Sequence, residues 1–178
     1  RELLRMGRIA SESFEHATRF FINRQAEDKR LANQLEEIVD QLEQDITSYV
    51  IKATSGKKLT ADLNRRSYII LQAVGDIERV GDHADNLVEL AEYAEENNVR
   101  FSETAIKDLE QMIQQVRNIL AMSLEALKKD DRELAIKVVD SDDIIDKMEL
   151  ELRKGHIQRL NEGKCTGSAG AVYLDVLS

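Results

Sequence analysis

The chain has 178 residues, 42% hydrophobic and 33% charged, with no proline, eight glycines and a single cysteine. Average usage would supply about nine prolines, so a loop-rich β-sandwich, a collagen-like chain and a disulfide scaffold are all poorly served. The 34 acidic residues outnumber the 25 basic ones for a net charge of −9, which repels phosphate backbones, argues against nucleic acid as a partner and favours metal cations or basic partners.

Aromatic residues make up 4% of the chain and Trp is absent, so the core must be built from Leu, Ile, Val, Ala and Met. Apolar residues recur at helical spacing nearly throughout and predict six helices. The first runs from Glu2 to Asn23. The second, Glu27 to Ala53, carries an apolar stripe of Leu31, Leu35, Ile38, Leu42, Ile46 and Tyr49, and ends at Thr54-Ser55-Gly56. The third, Ala61 to Asn97, carries Ile70, Val74, Ile77, Gly81, Ala84, Val88 and Ala91 on one face. Ser102 is the predicted N-cap of the fourth, Glu103 to Lys129. The fifth spans Asp131 to Glu162, and the sixth runs from Ala169 to the end. Connections this short make neighbouring helices antiparallel.

The segment Glu37-Ile38-Val39-Asp40-Gln41-Leu42-Glu43 matches Asp143-Ile144-Ile145-Asp146-Lys147-Met148-Glu149 in charge and apolar pattern at every position but one. Each copy leads through a loop to a helix with a tyrosine-containing apolar stretch, around Tyr68 and Tyr173. The predicted fold is therefore all-α, two antiparallel three-helix bundles as an internal repeat. The first repeat covers 1–98 and the second 99–178, its third helix cut short so that the repeat predicts further sequence beyond Ser178.

Acidic residues fall along the margins of the core faces. With Leu35 at zero and about 100° per residue, Glu36, Asp40 and Glu43 lie at about 80° to 140°. Asp142, Asp146 and Glu149 hold the matching positions of the fifth helix. Glu78, Asp82, Asp85 and Glu89 follow i, i+4, i+7, i+11 on the third. Such ridges, brought together by packed helices, are how carboxylate metal sites are made, and without a cation their acids would repel and titrate high. A solvated acidic face is the competing reading. Gly81, inside a helix at a cost of about 1 kcal/mol against Ala, predicts a close helix approach.

The segment Glu78-Arg79-Val80-Gly81-Asp82-His83-Ala84-Asp85-Asn86 resembles the E-R-x-G-D-H-A-x-N signature of PhoU proteins, a resemblance that extends over essentially the whole chain. The family's E(D)-x-x-x-D metal motif is matched by Glu78 with Asp82, Glu36 with Asp40, and Asp142 with Asp146. The resemblance implies a non-catalytic regulatory domain in phosphate transport, with iron or zinc as cofactor. On residues alone, all-oxygen ligands would equally suit Mn²⁺, Mg²⁺ or Ca²⁺. Glu36, Asp40, Glu78 and Asp82 are expected to converge on a cation with Asp85 beside them. Asp142 and Asp146 should form only half of a second site.

Two settings follow from the resemblance. Leu3-Leu4-Arg5-Met6-Gly7-Arg8 and Asp45-Ile46-Thr47-Ser48-Tyr49-Val50 look more like the PhoU-like cytosolic tails of sodium/phosphate cotransporters, partnered by a transmembrane transport domain of the same chain. The alternative is a stand-alone PhoU-type regulator acting on a phosphate transporter, and a homodimer is open in either case. The start at Arg1 fits a segment that follows a membrane domain. The segment itself is expected to be cytoplasmic, since it lacks about 18 consecutive apolar residues and its one cysteine fits a reducing compartment. A metal-dependent helical-bundle enzyme is the competing class, but no Glu-x-x-His pair supports it.

Gly163-Lys164-Cys165-Thr166-Gly167-Ser168 fails as a phosphate-binding loop, because residue 158 is Gln, Cys follows Lys164 and a helix precedes it. It reads as a flexible loop with Cys165 as an exposed thiol. His16, His83 and His156 share no ligand spacing. His83 is expected to face solvent or a partner.

Overall fold

Short polar side chains start four of the six described helices, and left-handed residues follow the ends of five. In the computed structural model, which describes residues 1–56 and 59–177, the chain forms α1 (Glu2–Asn23), α2 (Ala26–Thr54), α3 (Ala61–Glu96), α4 (Glu103–Lys129), α5 (Arg132–Asn161) and α6 (Gly167–Val176). The oxygens of Thr60, Ser102, Asp131 and Thr166 accept hydrogen bonds from the backbone N–H groups of Leu63, Ala105, Leu134 and Ala169 at 3.3, 3.2, 3.0 and 3.3 Å. Each satisfies a donor that the first turn leaves free, worth about 1 kcal/mol. Arg24, Asn98 and Asp130 turn the chain at φ 57°, 53° and 55°, and Gly56 and Gly163 do so at 68° and 67°.

These caps correct three sequence expectations. Asp131 is a cap and not the first helical residue. The sixth helix begins two residues before Ala169 because Thr166 caps it, so the end of the segment read as a flexible loop is helical. Cys165 is partly buried rather than fully exposed. Ser178, the expected end of that helix, lies outside the described residues.

Helix α1 is the hub, packing against α2, α3 and α4, while α6 bridges α3 and α5. One apolar cluster joins Met6 and Ala10 to Val39, Leu42 and Val74 within the first bundle. A larger one runs from Phe14, Phe20 and Phe21 through Val88 and Ala91 to Leu109, Leu152, Val172 and Tyr173, so the two bundles share a core. Helix α4 lies antiparallel to α1. A Cβ on Gly7 would meet Leu124 Cδ2, and Arg117 Nη2 donates to Thr18 Oγ1 at 2.9 Å.

The stripe on α3 packs as expected, with Val74, Gly81, Ala84, Val88 and Ala91 buried. On α2 the buried face is Asp28, Ala32, Val39, Leu42 and Val50, while Ile38 is 41% and Tyr49 74% exposed. The face is therefore rotated by about 55° from the apolar stripe toward the acidic margin. Packing against two helices at once sets that angle, and small residues such as Ala32 and Val39 allow the close approach that Ile38 would not.

Gly81 lies at the α2–α3 contact as predicted, where an added Cβ would sit 3.3 Å from Val39 Cγ1 and 4.0 Å from Glu36 Cγ. Gly81→Val is expected to destabilise the fold by about 1–3 kcal/mol through overpacking, read as a lowered urea midpoint. Val39→Ala in the same chain should recover part of that loss. A loss that Val39→Ala leaves untouched would place the strain elsewhere.

Helix α3 has 36 residues and runs along α2, and α6 lies against one end of α5. Helices α3, α4, α5 and α6 border an apolar groove of about 960 Å³, lined by Leu90, Met112, Val116, Leu120, Ile145 and Val176 among others.

Candidate metal centre

The rotation of α2 that exposes Ile38 turns Glu36 toward α3, and Gly81 lets α3 come close enough for Asp82 to meet it. Carboxylate oxygens of Glu36, Asp40 and Asp82 all lie within 4.8 Å of one another. Two oxygens on opposite sides of a cation bound at about 2.4 Å would be about 4.8 Å apart, so this set fits an oxygen-ligated ion. Glu36 is half-buried and the two aspartates are exposed, leaving the site open on one side.

The charges of the two ridges act on each other. Burial first, then the Asp40 and Asp85 carboxylates, a hydrogen bond with Asp40 and the Asp82 carboxylate push Glu36 up to about 7. Burial and the neighbouring Asp82, Asp40 and Glu43 likewise raise Glu78 above the usual carboxylate range. Of the five expected residues, Glu36, Asp40 and Asp82 come together, while Glu78 and Asp85 act on this group through their charges. Glu43, on the predicted ridge but outside the expected ligand set, joins them through its effect on Glu78, and it also accepts from Thr47 Oγ1 at 3.2 Å. Among the described residues no Lys or Arg pairs with any of these six acids. One end of the helix pair is balanced instead by the Lys29–Glu92 ion pair.

Asn33, one turn before Glu36 on the same helix, has a buried Oδ1 without a hydrogen-bond partner among the described residues. Only its i−3 spacing from Glu36 hinted at a place on this margin. Asp142 and Asp146 are exposed on α5, and no third carboxylate joins them among the described residues. Their ridge is partly neutralised, because Glu149 accepts from Arg153 Nε at 2.6 Å.

A pH dependence follows from Glu36. Its pKa in the folded protein lies above the ordinary 4.5, so between about 4.5 and 7 the metal-free fold holds a proton that the unfolded chain has released. This group's stabilisation is complete below that window and lost as pH rises through about 7. Glu36→Gln is expected to flatten that part of the stability–pH curve, measured by thermal melts in chelator. Parallel curves for the two proteins would contradict the assignment.

The histidines fall into three environments. His16 Nδ1 lies 2.7 Å from Asp28 Oδ1 and ties α1 to α2. His83 is exposed, as expected, and borders the apolar groove. His156 is 2% exposed and stacks on Tyr173 with ring centroids 4.9 Å apart.

The family model described as the PhoU domain matches residues 3–91 and 109–178 of the chain. The PhoU homolog 1 of Thermotoga maritima, named as a phosphate-specific transport system accessory protein, is 26% identical over 141 residues, covering 78% of this chain and 59% of that protein. The homolog from Clostridium acetobutylicum, named likewise, is 25% identical over 151 residues, covering 83% of this chain and 66% of that protein. The chain thus spans less than two thirds of the length of these relatives. The crystal structure of PhoU from Pseudomonas aeruginosa superposes with a TM-score of 0.89 at 19% identity, over 99% of this chain and 83% of that one, a likeness of fold.

Proposed function

The chain belongs to the PhoU family, and from that membership we propose that it is a non-catalytic regulator of phosphate transport that acts through a phosphate transport system. The observation that carries this reading is that both relatives, matched over about four fifths of this chain, are named as accessory proteins of such systems. Neither name mentions a sodium/phosphate cotransporter. The accessory-regulator reading is therefore the better supported of the two settings, and the cotransporter-tail reading stands on its sequence features alone. No described helix is long and apolar enough to cross a membrane.

The acid cluster is the part of the molecule suited to a cofactor. Glu36, Asp40, Glu78 and Asp82 would hold a cation with Asp85 beside it, iron or zinc by family resemblance. A bound cation would supply positive charge that cancels the repulsion between the α2 and α3 ridges. The protein's own contribution is to set two i, i+4 acid pairs on facing helices and hold them together across Gly81.

The test is removal of the gene from its host, followed by measurement of phosphate uptake and of a phosphate-starvation reporter. Misregulated uptake or reporter expression, restored by the wild-type gene, is expected. Normal uptake and an unaltered reporter in both high and low phosphate would overturn the proposal.

A further inference from the structure

The α2–α3 hairpin ends in an apolar and basic tip that the functional reading leaves unused. Between Val50 and Val74 no described residue is buried. Yet Tyr49, Ile51, Leu63, Tyr68 and Ile69 are 74, 53, 50, 64 and 49% exposed there. They do not share one face. Tyr49 and Ile51 are about 200° apart on α2, and Leu63, Tyr68 and Ile69 are spread around the whole of α3. A partner docked against one side would leave several of them in water, whereas immersion of the tip would cover them all.

Charge selects the medium. Residues 1–8, 45–56 and 59–69 carry six basic and three acidic side chains, whereas residues 9–44 and 70–178 carry 17 basic and 31 acidic. Leu3 packs in one cluster with Ile46 and Ile70, which places the start of α1 at the same end of the bundle. Two of the three acids there are paired, Glu2 with Arg5 and Asp62 with Arg66. Arg8, Lys52 and Arg65 are exposed and have no ion-pair partner among the described residues. The sequence between the two helices adds Lys57 and Lys58, which lie outside the described residues and on which the argument does not depend.

We propose that this end of the molecule docks on an anionic lipid surface, with the tyrosines and aliphatic side chains of the tip in the headgroup region and the basic residues on lipid phosphates. Tyrosine is suited to that depth, with an apolar ring and a polar tip. Each Lys or Arg near an anionic leaflet adds about 1 kcal/mol. The acidic remainder of the chain is repelled by the same surface, which orients the bundle end-on. The docking goes beyond the regulatory reading and does not rest on it.

The experiment is co-sedimentation with vesicles of phosphatidylcholine alone and with roughly a third phosphatidylglycerol, at about 0.05 and 0.5 M salt. Three double or single variants accompany the wild type: Tyr68→Ser with Ile69→Ser, Lys52→Glu with Arg65→Glu, and Arg100→Glu as a charge change outside the tip. All these positions are exposed, so circular dichroism should show the helices intact. The expected result is salt-sensitive binding to the anionic vesicles only, weakened on the order of tenfold or more by either tip variant and much less by Arg100→Glu. No binding to anionic vesicles at low salt would overturn the proposal. So would binding that the tip variants leave unchanged, or that Arg100→Glu weakens equally. Concentration-dependent self-association abolished by Tyr68→Ser with Ile69→Ser, without vesicle binding, would assign the tip to a second copy instead.

Discussion

Saturating iron, zinc or another divalent cation is expected to raise the thermal midpoint of metal-free protein by about 5–10 °C, and to do so much less in a Glu78→Gln, Asp82→Asn double variant. A ligand present at about 100 times its dissociation constant stabilises the folded state by about 2.7 kcal/mol, and each kcal/mol moves the midpoint of a chain this size by about 2–4 °C. The site is expected to require the fold, because Glu36 and Asp40 on α2 meet Asp82 only when α3 packs across Gly81. The same double variant should be more stable than wild type without metal, since it removes two charges from a cluster in which burial, together with the facing carboxylates, pushes Glu36 up to about 7. If cations leave the wild type unmoved, and the metal-free variant gains nothing, the acids are a solvated face and the centre is not a metal site.

Tyr173→Ala is expected to cost about 3–5 kcal/mol, in the range for deleting a buried aromatic ring, while Tyr68→Ala changes stability by no more than about 0.5 kcal/mol. The two tyrosines hold corresponding places in the repeat, yet one is 0% and the other 64% exposed. Tyr173 stacks on His156 and lies under the Arg159 guanidinium, 5.4 Å from its ring centroid, with Arg159 Nη1 in turn donating to Asp108 Oδ2 at 2.9 Å. Helix α6 is only ten residues long, too short to persist without docking, so loss of that ring should also release the α6 amides to fast hydrogen exchange. Equal urea midpoints for the two variants, with α6 still protected, would show that the other contacts of α6 suffice to hold it.

Helix positions were legible because the signal is local. Apolar periodicity, together with Ser102 and the breaks at Gly56, Asn98 and Gly163, located five of the six helices to within a residue at each end. The sixth was misplaced at its start, since Thr166 acts as a cap through one hydrogen bond to Ala169 N and the surrounding glycine and serine read as loop. The acid ridges were legible for the same reason, as i, i+4 spacing fixes which side chains share a helix margin whatever the helix packs against.

What the sequence by itself determined is the all-helical class, the repeat, the family and the acids that flank each core face. Only the tertiary structure decided the angle at which each helix presents that face. Ile38 and Tyr49 belong to the apolar stripe of α2 by spacing, yet they are exposed because packing against α1 and α3 together turned Val39 and Ala32 inward. That rotation carried Glu36 to Asp82, and no property of α2 alone specifies it. Likewise the repeat pairs Tyr68 with Tyr173, but only Tyr173 is buried. Periodicity is a property of one helix, whereas burial and charge coupling depend on what lies opposite.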